Sequence, residues 1–505
     1  MGRDSSVSEE SADVESFTSN TSESPSIAFL RDLARASDMA PNDFDVQLIG
    51  ADTPDLRAIP FSGRFLIRKR LGAGGFGVVY EAFDCERNAT VALKTPRRKD
   101  GRSISRFKKE FRSLVETVHE NLVQLYELHA HDDAWFFTME LVCGTDMLAY
   151  VRPRGGTYDE ERLRDVLRQL VEGLSFLHRA GKLHRDLKPS NVMVTSEGRV
   201  IIVDFGLAGD IADLATVEGV FGTPEYMAPE QAAGLPVGTS ADWYAVGVML
   251  YQALTGRLPL REPQPAPRPS ALVPNVPEDL DRLCMDLLAR EPEHRPTDRE
   301  VRQRLARGTV QHEERSGSGD APFIGRVTHL AKLHDALTRA EQGAAVTVLL
   351  HGRSGIGKTA LIQQFLGEVR ARAPGRFVLS GRCFEQESVP YKGVDGLIDD
   401  LCGHLRARGA ASAATLPADF PMLARIFPQL CELPWLRART LVASDDDALL
   451  RQRAFAALRE VLAQAAPEVP VLVVDDLQWS DLDSVALLGA LLQGRRRVPM
   501  LLLAA

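Results

Sequence analysis

The stretch His184-Arg185-Asp186-Leu187-Lys188-Pro189-Ser190-Asn191, followed by Asp204-Phe205-Gly206 and then by Ala228-Pro229-Glu230, decides how the first half of this chain folds. Moving a phosphoryl group from ATP to a hydroxyl needs a carboxylate to orient that hydroxyl and a cation to spread phosphate charge. It also needs an amide and a second carboxylate to hold Mg²⁺. Asp186, Lys188, Asn191 and Asp204 are those residue types. One such triplet recurs by chance; three in fixed order, with matching motifs upstream, leave chance very little room.

Upstream, Leu71-Gly72-Ala73-Gly74-Gly75-Phe76-Gly77-Val78-Val79 sets a Gly-rich turn between apolar runs. Glycine lets backbone N–H groups approach phosphates, and a turn of this kind also opens dinucleotide-binding βαβ units. A βαβ turn runs straight into a helix, whereas here Val78 and Val79 continue a strand and Val91-Ala92-Leu93-Lys94 predicts another.

Together these motifs resemble the protein kinases, and the Lys188 that follows Asp186 at the second position points to the Ser/Thr branch. The resemblance spans residues 65–307 and implies a two-lobed α+β fold. It implies Asp186, Lys188 and Asn191 as catalytic residues, with Asn191 and Asp204 on Mg²⁺. Leu71, Gly72, Gly74, Gly77, Val79 and Ala92 would enclose ATP, and Lys94 would hold its phosphates with Glu110, on a helix over 105–117, as partner. Met139 is then the gatekeeper, Glu140 and Val142 present hinge backbone to adenine, and Asp146 faces the ribose or a basic substrate side chain. Thr223 fits the position that bonds the catalytic Asp and Lys. Thr216 is left as the candidate regulatory acceptor in the activation segment, with Arg185 as the cation for its phosphate. Asp242 would brace the catalytic loop and Arg295 would pair with Glu230. Kinases that prefer arginine before the target carry Glu where this chain has Ser190 and Gln252, which implies weak selection for arginine.

The second half opens differently. An apolar strand over 346–350 runs into Gly352-Arg353-Ser354-Gly355-Ile356-Gly357-Lys358-Thr359, with a helix pattern after it. Loop amides at a helix N-terminus cradle phosphates, so Gly352, Gly355 and Gly357 shape the cradle, Lys358 reaches the β/γ-phosphates and Thr359 the Mg²⁺. The apolar run Val471-Leu472-Val473-Val474 ends in Asp475, for Mg²⁺ through water, and Asp476, to orient attacking water. With Leu477-Gln478-Trp479-Ser480-Asp481 following, this resembles the AAA-type α/β module of the STAND class of nucleotide-switch ATPases. Residues 377–391 resemble the form fused behind bacterial Ser/Thr kinases, the PknK-like kinases. The run Arg495-Arg496-Arg497 is a helix C-terminus, where cations complement the dipole.

The expected organisation is an acidic, Ser-rich disordered tail over 1–60, a kinase domain over 61–307, a Gly/Ser-rich linker over 308–321 and a P-loop ATPase domain over 322–505. Residues 27–39 hold a short amphipathic pattern. In the STAND family the P-loop strand lies between a fourth and a fifth strand; here the fourth is the terminal run from residue 500 and a fifth does not follow. The chain is therefore expected to be a fragment with its P-loop strand at a sheet edge and a tendency to self-associate through that domain.

Composition bounds the partners. The 505 residues carry a net charge of −9 with 44% hydrophobic and 26% charged residues, globular values that argue against nucleic acid or anionic membrane as a main partner. No apolar run reaches the roughly 20 residues of a bilayer span, so a cytoplasmic protein is expected. The six cysteines form no Cys-x-x-Cys pair, which points to reduced thiols. Expected ligands are ATP at two sites, Mg²⁺ and protein substrates. Two alternatives stand beside the kinase reading. One is a nucleotide-switched scaffold, opposed by the intact Lys94, Asp186, Asn191 and Asp204. The other is a small-molecule kinase, opposed by Ala228-Pro229-Glu230 and Gly222-Thr223.

Overall fold

A computed structural model describes residues 63–74, 77–98, 100–131, 134–153, 156–205, 209–210, 222–259, 266–306, 326–353, 355–409, 416–433, 447–465, 469–493 and 498–505. Thr216, the tail, the linker and the arginine run 495–497 lie outside the described residues. The described residues fall into two compact units.

The first unit begins with an antiparallel sheet of order β1 (Phe65–Ala73), β2 (Gly77–Asp84), β3 (Ala89–Pro96), β5 (Ala134–Glu140) and β4 (Leu125–His131). Alternation along β2 and β3 puts Tyr80, Ala82, Val91 and Leu93 on one face with Phe65 and Phe136, and this face is buried as a cluster. The Gly-rich turn therefore sits between two paired strands, with Val79 opposite Lys94 in the register. Gly77 is required there, since a Cβ would lie 2.3 Å from the Thr95 carbonyl oxygen. Helix α1 (Gly101–Leu114) follows and buries Phe107, Phe111 and Leu114, the spacing of one helical face.

Past β5 the chain is largely helical. In α2 (Glu160–Arg179), Asp159 caps the N-terminus by accepting from the Arg162 amide, and Glu160 and Glu161 complement the dipole. Leu163, Val166, Leu167, Leu170, Val171 and Leu174 form its buried stripe. A small antiparallel sheet of β6 (Gly144–Asp146), β7 (Val192–Thr195) and β8 (Val200–Ile202) holds the segment between Asn191 and Asp204. Helix α3 (Thr239–Thr255) is buried nearly all round, so its pattern is apolar without amphipathicity, and Gly256 ends it at φ 75°. Helices α4 (Glu278–Leu287) and α5 (Asp298–Ala306) complete the lobe.

The second unit is a parallel sheet of order β9 (Ala345–Leu349), β12 (Met500–Ala504), β11 (Val471–Asp475), β10 (Val378–Arg382). Both faces are covered, which is why these strands read as continuous apolar runs. Leu501, Leu503, Val471 and Val473 pack under α6 (Val327–Glu341) and α7 (Lys358–Arg372). Met500, Leu502, Leu472 and Val474 face α8 (Lys392–Arg408), α9 (Asp447–Ala465) and α10 (Leu482–Leu492). The P-loop strand β9 lies at one edge of the described sheet, the place its sequence predicts. No helix among the described residues is long and apolar enough to cross a membrane.

Candidate functional site

The catalytic-loop residues are gathered by backbone bonds into the α3 carboxylate. Asp242, fully buried, accepts from the His184 amide at 2.9 Å and the Arg185 amide at 2.8 Å. This fixes the loop so that Asp186 points at the segment carrying Thr223. Asp186 accepts from the Thr223 hydroxyl at 2.7 Å and amide at 2.8 Å, and from Lys188 Nζ at 2.8 Å. Lys188 also donates to the Thr223 hydroxyl at 2.9 Å, and Asn191 Nδ2 to the Asp186 carbonyl at 2.9 Å. A carboxylate in such a set is held for one direction of attack.

Lys94 on β3 lies between Glu110 Oε1 at 2.6 Å and Asp204 Oδ1 at 2.7 Å. Burial alone would lower the Lys94 ammonium, but the two carboxylates outweigh it and raise it above its ordinary range. Burial pushes the Glu110 carboxyl up against the pull of Lys94, whereas Asp204 overcomes its burial through Lys94 and is held down. Asp204 is 37% exposed at its side chain and so keeps oxygen surface for a cation. With the Asn191 Oδ1 it offers hard oxygen donors of the kind Mg²⁺ takes alongside phosphates and waters, so these residues fit the ion.

The other residues expected to enclose ATP sit where their strands put them. Val79 and Ala92 occupy adjacent paired strands β2 and β3, and Ala92 stands opposite Met139. Gly74 closes the tight turn through its amide to the Gly77 carbonyl. Leu71 is exposed at the mouth. Glu140 ends β5 and its amide donates to the Gln124 carbonyl, and Val142 follows two residues on. Asp146 caps a short helix by accepting from the Ala149 amide at 3.0 Å, which leaves one carboxylate oxygen for other use.

In the second unit Gly355 and Gly357 take φ of 78° and 91°, values that exclude a side chain at little cost only for glycine. Lys358 at the first position of α7 donates to the Gly352 carbonyl at 3.0 Å, and Thr359 donates to Asp475 Oδ2 at 2.8 Å. The Thr359 hydroxyl and the Asp475 carboxylate at one strand end fit Mg²⁺ in the same way. Asp476 is expected to orient water; its carboxylate accepts from Arg382 Nε at 2.8 Å and from Gln478 at 3.1 Å, and its backbone is left-handed at φ 54°. A Cβ at Gly352 would lie 3.0 Å from Ile356 Cγ2.

Sequence reasoning missed three participants. Arg326 donates to the Ile356 carbonyl of the P-loop, Arg382 meets Asp476, and His178 bonds Asp242 at 2.9 Å and Asp298 at 3.3 Å. Only Arg326 carried a signal, through its place just before α6.

Comparison with known proteins matches two domains of the chain. Residues 65–306 match the protein kinase domain and residues 322–503 the AAA ATPase domain. The chain is 32% identical over 251 residues to the serine/threonine-protein kinase PrkC of Bacillus subtilis, covering 46% of this chain and 38% of that protein. It is 33% identical over 280 residues to the serine/threonine-protein kinase pkn3 of Myxococcus xanthus, covering 50% of each. A probable serine/threonine-protein kinase of Clostridium acetobutylicum is 30% identical over 250 residues, with 46% and 38% covered. The chain thus spans 38% to 50% of the length of these curated relatives. Over these two ranges the chain matches, in succession, a protein kinase domain similar to those of bacterial Ser/Thr kinases and an AAA ATPase domain.

Proposed function

We propose that this protein transfers the γ-phosphoryl group of ATP to serine or threonine hydroxyls of protein substrates, with its C-terminal domain as a nucleotide-binding switch. The observation that carries this is the Asp186 carboxylate, held by Thr223 and Lys188, together with the Lys94 ammonium held by Glu110 and Asp204. In this reading Asp186 orients the hydroxyl and takes its proton, Lys188 spreads charge on the moving phosphoryl group, and Lys94 positions the phosphates. Asn191 and Asp204 would hold Mg²⁺, which neutralises phosphate charge when bound. A second ATP would lie on the P-loop with Lys358 at its phosphates and Thr359 and Asp475 at its Mg²⁺.

The domain limits proposed are 61–307 for the kinase and 322–505 for the ATPase, and a cytoplasmic location. Regulation is proposed through Thr216, because Arg185 keeps Nε and Nη2 buried without a hydrogen-bond partner. Burial pulls the Arg185 guanidinium down, and a phosphate would relieve that cost. Self-association through the β9 edge is also proposed, to be checked by light scattering.

The test is to incubate the purified full chain with ATP and Mg²⁺ and map phosphosites by mass spectrometry. Phosphoserine or phosphothreonine in the parent, absent from Asp186→Ala, is the expected result; no transfer to any protein substrate would overturn the assignment.

A further inference from the structure

Arg199 lies in the turn between β7 and β8, a position that no nucleotide or catalytic role requires. Its guanidinium nevertheless joins three segments. Nε donates to the Glu120 carbonyl at 2.8 Å, Nη1 to Glu140 Oε1 at 2.6 Å and Nη2 to Glu140 Oε2 at 3.3 Å. Glu120 belongs to the loop that follows the helix bearing Glu110. Glu140 ends β5 and begins the strand-to-helix connection that would present backbone to adenine. Arg199 itself stands five residues before Asp204.

The surrounding bonds show that this contact sets a position and does more than decorate a surface. Asn121 Nδ2 donates to the Val200 carbonyl at 2.8 Å, the Ile202 amide to the Asn121 carbonyl at 2.9 Å, and the Val123 amide to the Ile202 carbonyl at 3.0 Å. The loop at 119–123 and the β7–β8 hairpin therefore move as one piece. The Glu140 carboxylate is the point where the connection is tied to that piece by a side chain, and a planar fork meets both carboxylate oxygens and the Glu120 carbonyl in fixed directions, which a point donor does not. Without it, the backbone at Glu140 keeps its strand pairing to Val91 and its bond to Gln124, and β6 keeps its pairing with β7, but the start of the connection loses its side-chain tie to the piece bearing Asp204.

We propose that Arg199 is a positioning residue for ATP, holding the Glu140 connection at a fixed angle to the hairpin that carries Asp204. It touches neither nucleotide nor metal, and the proposal rests on the kinase reading above.

The test is steady-state phosphoryl transfer from ATP to a serine/threonine peptide by the full chain, in the parent, Arg199→Ala, Arg199→Lys, Glu140→Gln and the Arg199→Ala/Glu140→Gln double variant. Arg199→Ala is expected to raise KM for ATP about five- to tenfold with kcat within about twofold, the pattern of lost ground-state positioning. Arg199→Lys, a point donor, recovers less than half of that loss. Glu140→Gln added to Arg199→Ala costs little more, because the two act as one unit. A KM unchanged in Arg199→Ala, with only the melting temperature lowered, overturns the proposal, as does a kcat loss at constant KM or full rescue by lysine. If Arg199→Ala does not fold, the same pattern is read from Arg199→Lys and Glu140→Gln. A parent that transfers no phosphate removes the kinase reading and this inference with it, an outcome distinct from active parent and unaffected variants.

Discussion

Each half of the chain places a lysine where nucleotide phosphates would bind, and the two are held in opposite ways. Lys94 is buried between two carboxylates contributed by a helix and by the segment after β8, residues 16 and 110 positions away in sequence. Lys358 is half-buried and, among the described residues, bonds a carbonyl of its own loop, six residues away. The first site is a network of side chains assembled by tertiary structure; the second is a backbone cradle assembled by one loop and a helix N-terminus. A network fails when any partner is lost, because each loss strands a buried charge. A cradle loses ligand affinity and keeps its fold.

The largest expected effect follows directly. Lys94→Met or Asp186→Ala should lower autophosphorylation by roughly three powers of ten or more, as befits catalysis by positioning and charge. Lys358→Ala should instead abolish nucleotide retention at the second site while phosphoryl transfer stays measurable. Initial rates and equilibrium binding of labelled ATP on the full-length variants check both. Loss of transfer in Lys358→Ala with transfer intact in Asp186→Ala would reverse the assignment of the two sites.

The same contrast predicts where folding is vulnerable. Arg295 is fully buried at its side chain and donates to Glu230 Oε1 at 2.6 Å, to Glu230 Oε2 at 2.8 Å, and to the carbonyls of Ala289, Arg290 and Ser240. Arg295→Met leaves Glu230 charged in an apolar site and should cost about 3–5 kcal/mol. A urea titration following the kinase-domain transition by tryptophan fluorescence measures it. Arg382→Met, which breaks the half-exposed pair with Asp476 in the other unit, should cost under about 1 kcal/mol.

The sequence made the two units legible unequally. Local motifs name what local geometry builds: the Gly-rich turn, the P-loop, the capped helix over 160–179 and the alternating faces of the parallel strands all follow from neighbours in the chain. Residues whose role comes from distant partners carry no such mark. His178 looks like one polar residue closing an apolar helix, and its bonds to Asp242 and Asp298 span 64 and 120 residues. Arg199 is an arginine in a turn and Arg382 one at a strand end until the fold brings Glu140 and Asp476 to them. Asp476 shows the same limit from the other side: a strand-end acid is legible as a candidate for water, but its cation partner is not.

His178 also gives the network a pH signature that the cradle lacks. Burial alone would lower its pKa; hydrogen bonds to Asp242 and Asp298 outweigh this and raise it from 6.5 to about 9. A raised histidine contributes stability that is fully present below its unfolded value and is lost as pH rises through the folded one. Asp242 and Asp298 overcome their burial through His178 and are held below the usual carboxylate range, so their contribution fades only on the acid side. The parent should therefore exceed His178→Gln by roughly 3 kcal/mol near pH 6, with the gap closing between about pH 6.5 and 9.5. Urea midpoints of both proteins across this range test it, and a gap independent of pH would mean that His178 is neutral in the folded protein.

The smallest effect concerns which peptide the network accepts. Gln252 on α3 accepts from the Tyr226 hydroxyl at 2.7 Å, so its amide is fixed beside the segment that follows Thr223. Burial, with Glu225 and Asp146 nearby, raises the Tyr226 phenol. The expectation rests on kinases that prefer arginine before the target, which carry glutamates at the positions of Ser190 and Gln252; neither is acidic here. Asp146 is the acid left, and one of its oxygens already caps a helix. The expected profile on a peptide array is a weak preference for arginine two residues before the target. Gln252→Glu keeps the shape and the Tyr226 hydrogen bond while adding one half-screened charge, so it should strengthen that preference by about three- to tenfold, an ion pair of roughly 1 kcal/mol. A strong arginine preference in the parent would show that Asp146 suffices alone. No gain in Gln252→Glu would place the peptide away from α3, and the network would then end at Thr223.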